Sequence, residues 1–132
     1  MAIIGFANEV HTPLIMTYSL ALAISFGYSM YFNEYVCFVI GVPIIARSIN
    51  SRYLIVFDHK PRIYIACLGI LAAYAIVSVG VFDPLNSPER TMWLLSIAVI
   101  IANSSTSIGE ATMYGYLKGI PQELIFMYNL GK

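Results

Sequence analysis

Residues 102–110 read Ala102-Asn103-Ser104-Ser105-Thr106-Ser107-Ile108-Gly109-Glu110, and they follow an apolar run; no charged side chain occurs from Thr91 to Gly109. An uncharged stretch of this length predicts a helix that spans a bilayer. Because a charged side chain deep in a bilayer costs ~2.5–3.5 kcal/mol, the polar groups should face other helices or a wet cavity. At helical spacing, one face of this helix carries Asn103, Thr106, Ser107, Glu110 and Tyr114.

This polar face has two interpretations. In the first, it lines a path for a small polar solute, because polar groups inside a membrane are usually functional. In the second, the Ser and Thr hydroxyls bond back to carbonyls of their own helix, while Asn103 and Glu110 bond to neighbouring helices. Both interpretations stay open at the level of the sequence.

The composition favours a membrane protein. Hydrophobic residues make up 59% of the chain and charged residues 11%, with a mean hydropathy of +0.77, whereas soluble domains carry about 25% charged residues. The net charge is zero and no basic stripe is present, so nothing indicates nucleic-acid binding. Cys37 and Cys67 have no zinc-binding or redox spacing, and they are predicted to be small core residues.

The hydrophobic pattern predicts an all-α fold, a polytopic transmembrane helix bundle forming a single region over residues 1–132. We expect four helices, at about residues 3–30, 35–57, 63–82 and 88–116. The third is the clearest, since no charge occurs from Ile63 to Phe82. The fourth opens with Ser87-Pro88-Glu89, which is typical of a helix N-cap, a proline in the first turn and an acid beside it.

Basic residues predict the orientation. Only Arg90 lies in the third connection. By the positive-inside rule, the N-terminus, the second connection and the C-terminus are cytoplasmic. Arg47, Arg52 and Arg62 are predicted to be anchors at that face, extending to the membrane surface; alternatively, Arg47 and Arg52 bind lipid phosphate or an anionic solute. The cations on the cytoplasmic side are Arg47, Arg52, Lys60, Arg62, Lys118 and Lys132.

Small residues recur at spacings that let helices approach closely in lipid. They predict one packing face on each of three helices. The residues are Thr17, Ala21 and Ser25 in the first span, Ala66, Gly69 and Ala73 in the third, and Ala98, Ala102, Ser105 and Gly109 in the fourth.

Three stretches resemble the battenin family. Residues 103–112 resemble its Ser-Ser-x-x-x-Gly-Glu-x-Thr motif, which is fairly specific. Gly5-Phe6-Ala7-Asn8-Glu9 is similar to the Gly-x-x-Asn-Asn start of the family's first helix, with Glu9 in place of an Asn. Pro61-Arg62-Ile63 is similar to the family's Ser-Pro-Arg entry into the corresponding helix. The resemblance extends from Gly5 to Gly131.

The resemblance implies a lysosomal or vacuolar multi-pass membrane protein related to the major facilitator superfamily. It also implies a role in clearance of glycerophosphodiesters and in vacuolar pH. In that superfamily, substrate sites lie near the midplane between two helical halves. Family members have about eleven or twelve spans, so we expect this chain to be part of such a half. Its expected partners are the lipid bilayer, a small polar solute, and further helices from the same protein or another subunit.

Glu110 is the main candidate for proton coupling or solute orientation, because burial disfavours the charged form of a carboxyl group. If the first and fourth helices face a common cavity, Asn8, Asn103 and Glu110 are expected to line it. The full candidate set is Glu110, Asn103, Ser107, Thr106, Asn8 and Glu9.

Two functions are compatible with these patterns. The first is efflux of small polar solutes, of the glycerophosphodiester or amino-acid class, from a lysosome or vacuole. The second is a membrane organiser or trafficking adaptor that transports nothing. An intramembrane enzyme is disfavoured, since no nucleophile and base pair at usable spacing, and no cofactor or metal site is expected.

Overall fold

The computed structural model describes residue 6 and residues 9–25, 27, 32–82, 87–119 and 121–130. Within them the chain is all-α and has no strand, as predicted. A short 3-10 turn, Leu54–Val56, separates the second and third helices. The helices are α1 (His11–Ser25), α2 (Phe32–Arg52), α3 (His59–Phe82), α4 (Pro88–Leu117) and α5 (Gln122–Leu130).

Two of the described helices are long and apolar enough to cross a membrane by length and composition. They are α3, over His59–Gly80, and α4, over Glu89–Leu117. The described part of α1 has 15 residues, which at 1.5 Å per residue reach roughly 22 Å, less than the ~30 Å of a hydrocarbon core. A bundle of four spans therefore stays a prediction.

Helices α3 and α4 form an antiparallel hairpin, because their contacts run in opposite order along the two helices. A methyl group on Gly80 would lie 3.9 Å from Leu94 Cβ, and one on Gly69 would lie 3.1 Å from Ser105 Cβ. At the far end, a methyl group on Gly115 would lie 3.4 Å from His59 Cε1. The start of α4 is capped as predicted, since the Ser87 hydroxyl accepts a hydrogen bond from the Arg90 backbone N–H.

Helix α4 is central and contacts α1, α2 and α3. The small residues predicted to pack on α4 are buried, and on α3 Ala66 and Ala73 are buried while Gly69 lies against Ser105. The core cluster combines residues of α1, α3 and α4. Its buried members are Ile15, Ala23, Ala73, Met92, Leu95, Val99 and Ala102.

Two predictions about packing are wrong. The small face of α1, made of Thr17, Ala21 and Ser25, is exposed. Contact with α4 instead buries the face formed by Ile15, Ser19 and Ala23, because this face combines the large apolar side chain of Ile15 with two small residues. Cys37 and Cys67 are exposed rather than in the core.

Candidate functional site

The polar face of α4 is turned inward, as its sequence predicts. Asn103, Thr106 and Ser107 are buried, and the Glu110 side chain is only 13% exposed. Tyr114 is exposed, and it serves a different contact: its hydroxyl donates to Asn129 Oδ1 of α5 at 2.9 Å. The polar face therefore has an interior part, up to Glu110, and an end that holds α5.

Asn103 of the polar face, and polar side chains of α4 outside that face, bond to their own helix. The Asn103 Nδ2 donates to the Val99 carbonyl at 3.0 Å, the Ser104 hydroxyl to Ile100 at 2.8 Å, and the Thr112 hydroxyl to Ile108 at 2.7 Å. Such bonds satisfy polar groups without a neighbouring helix. At Ser104 and Thr112 the second interpretation of the sequence, a hydroxyl bonded to a carbonyl of its own helix, accounts for the side chain.

Helix α1 brings two polar side chains to the interior. The Thr12 hydroxyl donates to Thr106 Oγ1 at 3.1 Å, which joins α1 to α4. The neighbouring His11 Nδ1 lies 3.0 Å from the Tyr74 hydroxyl of α3, with the two rings edge to face. Tyr74 has no signal in the sequence that distinguishes it from a core aromatic.

Glu110 forms an ion pair with Arg47 of α2, whose Nη2 lies 2.5 Å from Glu110 Oε2. The Arg47 side chain is 56% exposed, whereas Glu110 is mostly buried, so the guanidinium reaches inward to the carboxylate. The sequence predicts separate roles for these residues: Arg47 as a surface anchor or an anion-binding residue, and Glu110 as a candidate for proton coupling or solute orientation. Opposite charges inside apolar helices commonly pair with one another, and that signal could have connected them.

Next to this ion pair lies an open cavity of about 520 Å³, which we call the basic pocket. It is formed by the end of α2 and the start of α3, with the small residues Ala111 and Gly115 of α4 on its other side. The polar lining residues are Arg47, Ser48, Asn50, Ser51, His59 and Arg62.

Two lining residues of the basic pocket are buried. Arg62 is 7% exposed, and its Nη2 lies 2.7 Å from His59 Nδ1. It therefore does not extend to the surface as the predicted anchor would, because it folds back on the first turn of α3. Asn50 is 4% exposed, and its Oδ1 has no hydrogen-bond partner among the described residues.

The remaining candidates are Asn8, Glu9 and Arg52, and the structure describes the last two. Asn8 lies outside the described residues, so the predicted cavity lined by Asn8, Asn103 and Glu110 stays a prediction. Glu9 is half-buried just before α1, and Arg52 is exposed at the end of α2. Among the described residues, no group of three His, Cys, Asp or Glu side chains could hold a metal ion.

Comparisons with protein-family models, with curated proteins and with solved structures find no match to the chain. Function is therefore inferred from the residues, from their geometry and from the resemblance of the α4 motif.

Proposed function

We propose that this chain is part of a battenin-type membrane protein of the lysosome or vacuole that exports small polar solutes and contributes to vacuolar pH. The solutes are of the glycerophosphodiester or amino-acid class. In this proposal the bundle is part of one half of a major-facilitator-like transporter, its N-terminus is cytoplasmic, and further helices from the same protein or another subunit complete the path. The chain has no enzymatic activity and needs no cofactor.

The ion pair between Glu110 and Arg47 carries the proposal. Glu110 follows a buried polar face on a helix apolar enough to span a membrane, and its partner lies on another helix. Such charges inside membrane helices are rare and commonly belong to solute or proton pathways. An ion pair between two helices can also open and close as the helices move, which transport by alternating access needs.

Exposed apolar surface supports a membrane location and further helices. Soluble monomers rarely expose large contiguous apolar patches. On α3, Ile65, Leu68 and Leu71 are exposed, and α2 exposes Ile40 and Ile44. Lipid and further helices would cover these faces.

The alternative is a membrane organiser or trafficking adaptor that transports nothing. The bonds of Asn103, Ser104 and Thr112 to their own helix favour it, since these groups need no solute. In that case the pair of Arg47 and Glu110 only joins α2 to α4.

Metabolite profiling of isolated vacuoles tests the proposal. Cells lacking the protein are compared with cells that express the wild type or Glu110→Gln. Glutamine keeps the size of the side chain and removes its charge. We expect glycerophosphodiesters to accumulate without the protein, and the wild type, but not Glu110→Gln, to clear them.

A matched control separates transport from general damage. Glu123→Gln makes the same chemical change at an exposed position at the start of α5, and we expect it to clear the solutes like the wild type. Full clearance by Glu110→Gln would reject the role of this carboxylate. Unchanged solutes combined with mislocalised membrane cargo would favour the organiser.

A further inference from the structure

We infer that the basic pocket binds a small oxyanion, a phosphate or carboxylate group, which competes with the Glu110 carboxylate for Arg47. The inference rests on the proposed function in one respect: the oxyanion is taken to belong to the exported solute or to a lipid at the mouth of the solute path. The binding itself is testable without transport.

The first argument is charge. The pocket lining contains two guanidinium groups and a histidine, and the described lining residues include no carboxylate. Arginine binds oxyanions through paired N–H donors in a planar fork, which fits a phosphate or carboxylate better than a neutral solute. The volume of about 520 Å³ leaves room for such a group together with water.

The second argument is that one arginine already holds an oxyanion. Arg47 lines the pocket and binds the Glu110 carboxylate. The Glu110 carboxylate, which comes from another helix, thus shows that this guanidinium binds an oxyanion. Because the Arg47 side chain is more than half exposed, it has room to turn from Glu110 to an anion in the pocket.

The third argument is the neutral polar lining. Ser48 and Ser51 each donate their hydroxyl to a carbonyl of α2, while Asn50 Oδ1 is buried without a partner in the described part of the chain. A buried unpaired carboxamide oxygen is unfavourable, so it favours a ligand that donates a hydrogen bond; the hydroxyl of a protonated phosphate supplies such a donor, and an ionised carboxylate does not. Helix α3 begins at His59, and the N–H groups of a helix start also favour anions.

Equilibrium dialysis with radiolabelled inorganic phosphate tests the inference. The whole chain is purified in a maltoside detergent, which contains no phosphate, and ionic strength is held constant with chloride. We expect saturable binding that Arg47→Gln weakens about tenfold, the effect of one charge-assisted hydrogen bond. Glu110→Gln should bind phosphate more tightly, because it removes the competitor.

Two further variants make the outcome decisive. Arg52→Gln removes the same charge from the same helix at an exposed position outside the pocket, and its phosphate affinity should stay close to that of the wild type. Arg62→Lys keeps the buried charge but loses the fork, so binding should weaken while circular dichroism stays that of the folded chain. No saturable binding by the wild type, or equal losses in Arg47→Gln and Arg52→Gln, would overturn the inference.

Competition identifies the source of the anion. If phosphatidic acid in the same micelles displaces phosphate at low mole fraction, the site takes a lipid headgroup; if it does not, the site takes a soluble anion. Both results support an oxyanion site. Arginine-dependent phosphate binding combined with unchanged solutes in cells that lack the protein would reject the proposed function alone, and solute accumulation in those cells without phosphate binding by the wild type would reject this inference alone.

Discussion

Individual polar residues of α4 fall into two groups. Asn103 and Thr112 donate to carbonyls one turn earlier in their own helix, whereas Thr106 and Glu110 bond to side chains of α1 and α2. The second group connects α4 to α1 and α2, as Tyr114 connects it to α5. A hydrogen bond between membrane helices contributes about 0.6 kcal/mol on average, so these contacts determine the arrangement of the helices more than their stability.

Gly69 lies at the closest approach of α3 and α4. A methyl group there would overlap Ser105 Oγ and lie 3.1 Å from Ser105 Cβ. We therefore expect Gly69→Ala to lower the free energy of unfolding by about 1–3 kcal/mol, as overpacking does in cores. Thermal unfolding of the purified chain in maltoside micelles measures the change.

Gly41 provides the matched control, because a methyl group there would meet nothing within 4 Å. Gly41→Ala should leave stability unchanged or raise it by up to about 1 kcal/mol through helix propensity. Adding Ser105→Ala to Gly69→Ala should recover most of the loss, since it removes the overlapping hydroxyl. If Gly69→Ala and Gly41→Ala unfold at the same temperature, the close approach at Gly69 does not exist.

At the scale of helices, the sequence predicts some features well. The inward polar face of α4, its small packing residues and its N-cap follow from local periodicity and spacing, and the structure contains all three. Contacts between distant helices do not follow from local patterns. Arg47 and Glu110 are 63 residues apart; their opposite charges suggest a pair, but the local pattern of neither segment specifies which helix lies opposite.

The buried face of α1 illustrates a second limit. Both Thr17-Ala21-Ser25 and Ile15-Ser19-Ala23 have helical spacing, so periodicity alone allows either face. Packing against α4 selects the second. For the same reason the sequence suggested an anion at Arg47 but not the other residues of the basic pocket: Asn50 and His59 belong to different helices, and each is unremarkable within its own segment.

Cys67 tests whether α3 crosses a membrane. It is exposed on the ninth position of α3, about 12 Å along the helix axis from its start. In a Cys37→Ser background, we expect a membrane-impermeant maleimide to leave Cys67 unlabelled in intact membranes, because lipid excludes the reagent. Labelling should become complete after denaturation in detergent.

A control at the end of the same helix validates the Cys67 experiment. Asp58→Cys, in a chain with both native cysteines replaced by serine, places a thiol at an exposed position directly before α3. This thiol should react in membranes opened on both sides. Equal labelling of Cys67 and of Asp58→Cys in membranes opened on both sides would contradict the span.

For the whole molecule, the charges and the apolar surface have different locations. The basic pocket combines the end of α2 with the start of α3, and α4 comes to it near Gly115. The opposite end of the α3 and α4 hairpin carries Glu89 and Arg90. Between the two ends, α3 presents exposed apolar side chains such as Leu68. This distribution matches a hairpin that crosses a bilayer with its basic end at the cytoplasm.

In the proposed function the basic end of the hairpin faces the cytoplasm, and sealed vacuoles, whose outer surface is cytoplasmic, test this orientation. Single-cysteine chains carry Asp58→Cys at the basic end or Glu89→Cys at the opposite end; both positions are exposed. Replacing acids leaves the cations unchanged, and acids contribute little to orientation. An impermeant maleimide should label Asp58→Cys directly, and Glu89→Cys only after the membrane is permeabilised. The reverse pattern would invert the orientation, whereas direct labelling of both thiols would mean that the hairpin does not cross the membrane.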